Sequence, residues 1–148
     1  IRFQIFDFQY FSIKSEKIHS TKEAIMEAGK LLLKNGNIEE NYIDKMIESY
    51  EKNGAYIVIA PRIAMPHASY KDGVIKAGFS ILTLKEPVVF GNKENDPVDV
   101  IIGLATGSND EHIEIIKKIT RIFTNNKKVE IIFNATDKKD VIKLFEEE

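Results

Sequence analysis

The sequence predicts an α/β domain in which a central β-sheet is covered on both faces by helices. Apolar residues recur at helical spacing early in the chain, continuous β-branched runs fill its middle, and helical spacing returns after Gly107. The length of 148 residues suits one ordinary domain. No internal repeat or low-complexity linker interrupts it, so residues 1–148 are read as a single domain.

Each element carries its own signal. Ser20-Thr21-Lys22-Glu23 reads as a capping box, with the Ser hydroxyl and the Glu carboxylate each accepting from a free amide of a helix start. Ala24, Ile25, Ala28, Leu31 and Leu32 then share one helical face, and Asn35-Gly36 supplies a left-handed stop. A second helix places Ile38, Tyr42, Ile43, Met46, Ile47 and Tyr50 on one face and ends at Asn53-Gly54. Tyr56 to Ile59 is continuous and β-branched, which reads as a buried strand closed by Pro61. Two more strands are predicted at Gly78–Leu84 and Val98–Leu104, with Pro87–Phe90 a shorter extended piece and 91–97 a turn-rich connection. Ser108-Asn109-Asp110-Glu111 is a second capping box, opening a helix with Ile115, Ile116, Ile119, Ile122 and Phe123 on its core face. Residues 128–133 suit a strand or a buried helical turn and are assigned to a helix. A last helix, begun by Thr136 or Asp137, buries Val141, Ile142, Leu144 and Phe145.

Composition excludes several function classes. Hydrophobic residues make up 43% and charged residues 30%, a globular rather than a disordered balance. The net charge is −2 with both signs interspersed, so neither nucleic acid nor an anionic membrane has an electrostatic footprint to meet. No apolar run reaches the roughly 20 residues of a membrane helix. Without cysteine there is no disulfide, thiol nucleophile or thiolate metal site. The start lacks the layout of a secretory signal, which places the chain in the cytoplasm, and the missing initiator Met suggests trimming or excision from a longer protein.

Only three histidines occur, His19, His67 and His112. His67 follows Pro66, which fixes its own φ and holds Met65 away from helical geometry, so the ring is presented from an extended or turn segment. Ala68 adds little bulk behind it. Such an imidazole can be a nucleophile, a general base or a metal ligand, or else a loop histidine bonded to a nearby carbonyl. No H-x-x-x-H pair, G-x-S-x-G elbow or glycine-rich phosphate loop is present, which leaves metal, serine-nucleophile and nucleotide chemistry unsupported. His112 falls in the first turn of the helix opened by Ser108, where free amides favour an anion. Together, two such histidines would suit a phosphoryl group. His19 precedes a cap and reads as a surface residue.

Three stretches carry a family resemblance. Tyr56-Ile57-Val58-Ile59-Ala60-Pro61, Ile63-Ala64-Met65-Pro66-His67-Ala68 and Asp72-Gly73-Val74 resemble the enzyme IIA domains of the phosphoenolpyruvate sugar phosphotransferase system (PTS), in the fructose–mannitol superfamily. Leu82 to Pro87 and Asn95 to Asp99 resemble the same group, and the ascorbate-type branch is the one most alike. The resemblance implies a mixed sheet between helices. It also implies that His67 accepts a phosphoryl group from the carrier HPr and passes it to a cysteine of a IIB partner, which serves a membrane IIC transporter. His112 would hydrogen-bond that group. No cofactor, metal or nucleotide is then needed, and apolar surface near Met65 would receive partners. A second implication is a sensor: IIA-like domains also end transcription regulators, where phosphorylation of His67 would report sugar status.

This sequence departs from the pattern at two places. Arg62 stands where a small residue, often Gly, is expected, and reads either as a solvated loop arginine or as a cation near the phosphoryl group or the HPr interface. The mannitol branch carries an arginine after the second helix, whereas Glu48 to Lys52 has none, which favours the ascorbate-like branch.

Overall fold

Five strands form one mixed sheet in the order β1-β4-β5-β3-β2. They are β1 (Phe11–Ser15), β2 (Val58–Ala60), β3 (Ile63–Ala64), β4 (Gly78–Val88) and β5 (Val98–Ala105). The computed structural model describes residues 10–106 and 110–147, and at 110–112 the backbone alone. β4 and β5 run antiparallel at the centre, while β1 is parallel to β4 and β3 is parallel to β5. The helices are α1 (Thr21–Lys34), α2 (Asn41–Asn53), α3 (Asp110–Phe123), α4 (Asn126–Asn134) and α5 (Lys138–Glu146).

Alternation along the central strands splits the core in two. Leu82, Leu84 and Ile101 point to the α1–α2 side, where they meet Ile25, Ala28, Leu32, Tyr42 and Met46. Phe79, Ile81, Val100 and Ile102 point to the other side, against Ile115, Ile119, Ile122 and Phe145 of α3 and α5. Helix α1 sits close on the sheet because Gly103 leaves room: a Cβ there would lie 3.1 Å from the Ala28 carbonyl oxygen. Beside it the Ser80 hydroxyl donates to that same carbonyl at 2.8 Å.

Helix ends follow the sequence closely. Ser20 Oγ accepts from the Glu23 amide at 3.2 Å, a cap of about 1 kcal/mol. The Glu23 carboxylate reaches past Ser20 to the His19 amide. Gly36, with φ +75°, carries the left-handed stop of α1. Asp137 caps α5, and 128–133 belong to α4, as assigned. The Ser108 capping box lies outside the described residues.

Three expectations need correction. Tyr56 and Ile57 belong to a 3₁₀ turn, Gly54–Ile57, and the strand after it starts only at Val58. That strand lies at the sheet edge, which leaves Ile59 48% exposed, and Tyr56 on the turn before it is 86% exposed. The buried inner strand is the two-residue β3. Strand β1 was not expected at all: its apolar pair Phe11 and Ile13 is too short a pattern, and a bulge at Lys14 breaks it. Finally, the two extended pieces before residue 90 are one strand, β4, running on to Val88.

Candidate active site

His67 lies in an extended stretch between β3 and a 3₁₀ turn at Tyr70–Asp72. Three hydrogen bonds fix this stretch. The Met65 amide donates to the Ile57 carbonyl at 2.8 Å, and the Leu104 amide donates to the Pro66 carbonyl at 3.1 Å. The Ala68 amide donates to the Tyr42 hydroxyl at 3.0 Å. Pro66 itself has no amide hydrogen, so its burial leaves no donor unsatisfied.

The imidazole of His67 is exposed, and its Nδ1 lies 2.9 Å from the Met65 carbonyl oxygen. A carbonyl cannot donate, so Nδ1 carries a proton, and in the neutral ring the lone pair is then on Nε2. The bond to a nearby carbonyl, one of the two expectations for this residue, is present. That bond orients the ring and selects its tautomer.

Tyr42 is the residue that sequence reasoning missed. It was assigned to the apolar face of α2 and is indeed fully buried. Its hydroxyl, however, donates to the Leu104 carbonyl at 2.8 Å, with the Ala68 carbonyl a second acceptor at 3.2 Å. Burial pushes its pKa from 10.0 up to about 12; the hydrogen bond to the Ala68 backbone lowers it by less, and the Asp72 charge raises it slightly further.

His112 occupies the first turn of α3, as predicted, and its side chain lies outside the described residues. His19 is exposed and unconnected to His67. Met65 is half-buried against the α3–α5 core, and Tyr70, 48% exposed, is the apolar surface residue that follows His67. A groove of about 370 Å³ borders Ala68 and Ser69, and α2 lines it with Lys45, Glu48, Ser49, Lys52 and Asn53, opposite Asp72. Two lysines thus lie along the part of α2 that lacks an arginine, Lys45 paired with Glu48 at 3.6 Å and Lys52 at its end.

Arg62 is held by the fold and is not a freely solvated loop arginine. It adopts φ +71° in the two-residue turn between β2 and β3, the conformation that explains why Gly is expected there. Its guanidinium donates to Asp99 through Nε at 3.1 Å and Nη2 at 2.7 Å, and lies 3.7 Å above the Phe133 ring. The hydrogen bonds to Asp99 raise the pKa of an already permanent cation. Its charge is paired, and the arginine works as a clamp.

The family model for the phosphoenolpyruvate-dependent sugar phosphotransferase system, EIIA 2, matches residues 4–148. The chain belongs to this EIIA family. It is 33% identical to the ascorbate-specific PTS system EIIA component of Escherichia coli (strain K12) over 138 residues, 90% of each chain. The mannitol-specific cryptic phosphotransferase enzyme IIA from Escherichia coli superposes with a TM-score of 0.83 at 31% identity, covering 97% of both chains. The enzyme IIA in a complex with phosphorylated mannitol enzyme IIB from Escherichia coli superposes at 0.81 with 26% identity, covering 96% of this chain and 97% of that one. Membership of the EIIA family gives the chain a phosphocarrier role in sugar phosphotransfer. Among the described residues no helix is long and apolar enough to cross a membrane.

Proposed function

We propose that this EIIA chain, acting as one domain over residues 1–148, takes a phosphoryl group from phosphorylated HPr onto His67 and passes it to a IIB component. That IIB serves a membrane IIC transporter for ascorbate or a related sugar. The observation that carries the reading is the His67 ring, exposed and held by Nδ1 on the Met65 carbonyl.

In the step proposed, the Nε2 lone pair attacks phosphorus as the P–N bond to the donor histidine breaks, and the bonding pair returns to the donor ring. No proton need leave Nε2. Positive charge develops on the His67 ring, and the Met65 carbonyl dipole accepting from Nδ1–H stabilises it. Transfer to a IIB cysteine reverses the geometry, with the thiolate attacking and His67 recovering its lone pair. His112 would hydrogen-bond the phosphoryl oxygens from the start of α3. The similar mannitol IIA that is described in complex with phosphorylated IIB supports a IIB partner of this kind. A soluble cytoplasmic carrier fits this role.

Intact mass after incubation with phosphoenolpyruvate, enzyme I and HPr tests the reading. A gain of one acid-labile phosphoryl group is expected, lost in His67→Ala and slowed in His112→Ala. A chase with IIB should remove it. No gain in the native chain beside an active control would sink the carrier reading.

A further inference from the structure

We infer that Tyr42 is a positioning residue for phosphoryl transfer: its hydroxyl ties the residue after His67 to the end of β5 and so sets the direction of Nε2. The inference rests on the reading of His67 as the phosphoacceptor and adds the group that aims it.

The anchor is built from three separated parts of the chain. Tyr42 comes from α2, Ala68 follows His67, and Leu104 is the penultimate residue of β5. Its hydroxyl has one hydrogen and two lone pairs. The hydrogen goes to the Leu104 carbonyl at 2.8 Å, and a lone pair accepts from the Ala68 amide at 3.0 Å. Leu104 also donates its own amide to the Pro66 carbonyl. The residues on both sides of His67 are thereby held to the same strand residue, one directly and one through Tyr42. Between them only the histidine is left to project, and its ring is steadied by Met65.

A phenylalanine would fill the same buried space on α2, so packing alone does not ask for the hydroxyl. That oxygen is the hydrogen-bond partner of the Ala68 amide, and without it nothing in the described structure binds that donor. Burial keeps the phenol protonated far above neutral pH, so the donor to Leu104 persists under all physiological conditions. Transfer between two nitrogens depends on in-line placement, and an error of about 1 Å can slow such a step on the order of 100-fold. β5 also leads, past residues outside the described set, into the helix that carries His112. One hydroxyl thus couples the His67 stretch to the strand from which the second histidine's helix departs.

The test compares single-turnover transfer from phosphorylated HPr to the native chain, Tyr42→Phe and Tyr50→Phe, each well below its melting temperature. Tyr50 is the control, since its hydroxyl donates to the Phe90 carbonyl at 2.6 Å, away from the His67 stretch. Tyr42→Phe should still take one phosphoryl group, at a rate reduced about tenfold or more, while Tyr50→Phe stays within about twofold of native. A native rate in Tyr42→Phe, or equal slowing in Tyr50→Phe, overturns the inference. Amide hydrogen exchange on the native chain gives a check that needs no variant. Protection at Ala68 is expected, and exchange there at the rate of an unbonded amide overturns the anchor. If the native chain takes no phosphoryl group at all, the reading of His67 itself has failed, a result distinct from both.

Discussion

Arg62 and His67 stand five positions apart on one short stretch, A-P-R-I-A-M-P-H-A-S, and the fold treats them in opposite ways. Around Arg62 the side chain does the anchoring. The guanidinium pairs with Asp99 and covers Phe133, so the turn before β3 is bound to β5 and α4. Around His67 the anchoring comes from the backbone and from Tyr42, and among the described residues the imidazole hydrogen-bonds the carbonyl two residues back. The contrast teaches how a charged or titratable residue becomes available for chemistry. Exposure alone does not separate these two, because Arg62 is itself 42% exposed. What separates them is whether another group already holds the backbone in place.

The sharpest break of this comparison is His67→Ala. It should abolish phosphoryl uptake entirely while changing stability by no more than about 0.5 kcal/mol, as for an exposed residue with one local bond. Mass spectrometry and denaturant melts measure the two halves. A large loss of stability would mean that His67, like Arg62, is a structural clamp.

Alkali should separate the two anchors next. The Tyr42 pKa is raised from 10.0 to about 12 in the folded chain, so folding is favoured fully below pH 10. Between those values an unfolded chain releases the phenolic proton and the folded chain keeps it, and stability falls as pH rises. The loss amounts to about 2–3 kcal/mol once pH passes 12. Arg62 contributes nothing over this range, because a guanidinium does not titrate there. Urea midpoints from pH 9 to 12 should therefore fall more steeply in the native chain than in Tyr42→Phe, and equal slopes would contradict the buried phenol.

Third in size is the clamp itself. Arg62→Ala leaves Asp99 buried beside no cation and keeps a Cβ in a left-handed turn. It should cost about 2 kcal/mol, less than a fully buried pair because Arg62 is partly exposed. Arg62→Gly loses the same pair but relieves the backbone, and should recover about 1 kcal/mol of that loss. Both variants should take phosphoryl groups within about twofold of the native rate. A larger fall would return Arg62 to the role of a cation at the site.

These two residues also mark the limits of what the sequence disclosed. The proline before His67 made its exposure legible, because the effect of Pro66 is local. Helix ends were legible for the same reason: Ser20, Gly36, Gly54 and Asp137 act within a turn of themselves. Tyr42 escaped because its partners lie 26 and 62 positions away, and at a core position of α2 a tyrosine reads as one more apolar residue. The ion pair of Arg62 is not legible because Asp99 is 37 positions distant. The strand error at Tyr56 has another source. An apolar run fits a short helical turn as well as a strand, so the 3₁₀ turn at Tyr56 and Ile57 is not distinguishable there, and only the strand order shows that β2 is an edge.

The smallest effect concerns Phe133, whose ring lies under Arg62 and whose carbonyl accepts from Lys14 Nζ at 2.7 Å. The ring contact adds to the Asp99 pair only if the guanidinium stays flat against it, which the two hydrogen bonds to one carboxylate enforce. Phe133→Leu keeps an apolar side chain over the α3–α5 core and the backbone carbonyl for Lys14. A double-mutant cycle with Arg62→Gly should then give a coupling of about 0.5–1 kcal/mol, the scale of a partly exposed cation–π contact. In Asp99→Asn the carboxylate no longer holds the fork in plane, so the same cycle should give a smaller coupling. If the coupling is unchanged there, the ring and not the carboxylate orients Arg62, and the clamp is built in the reverse order.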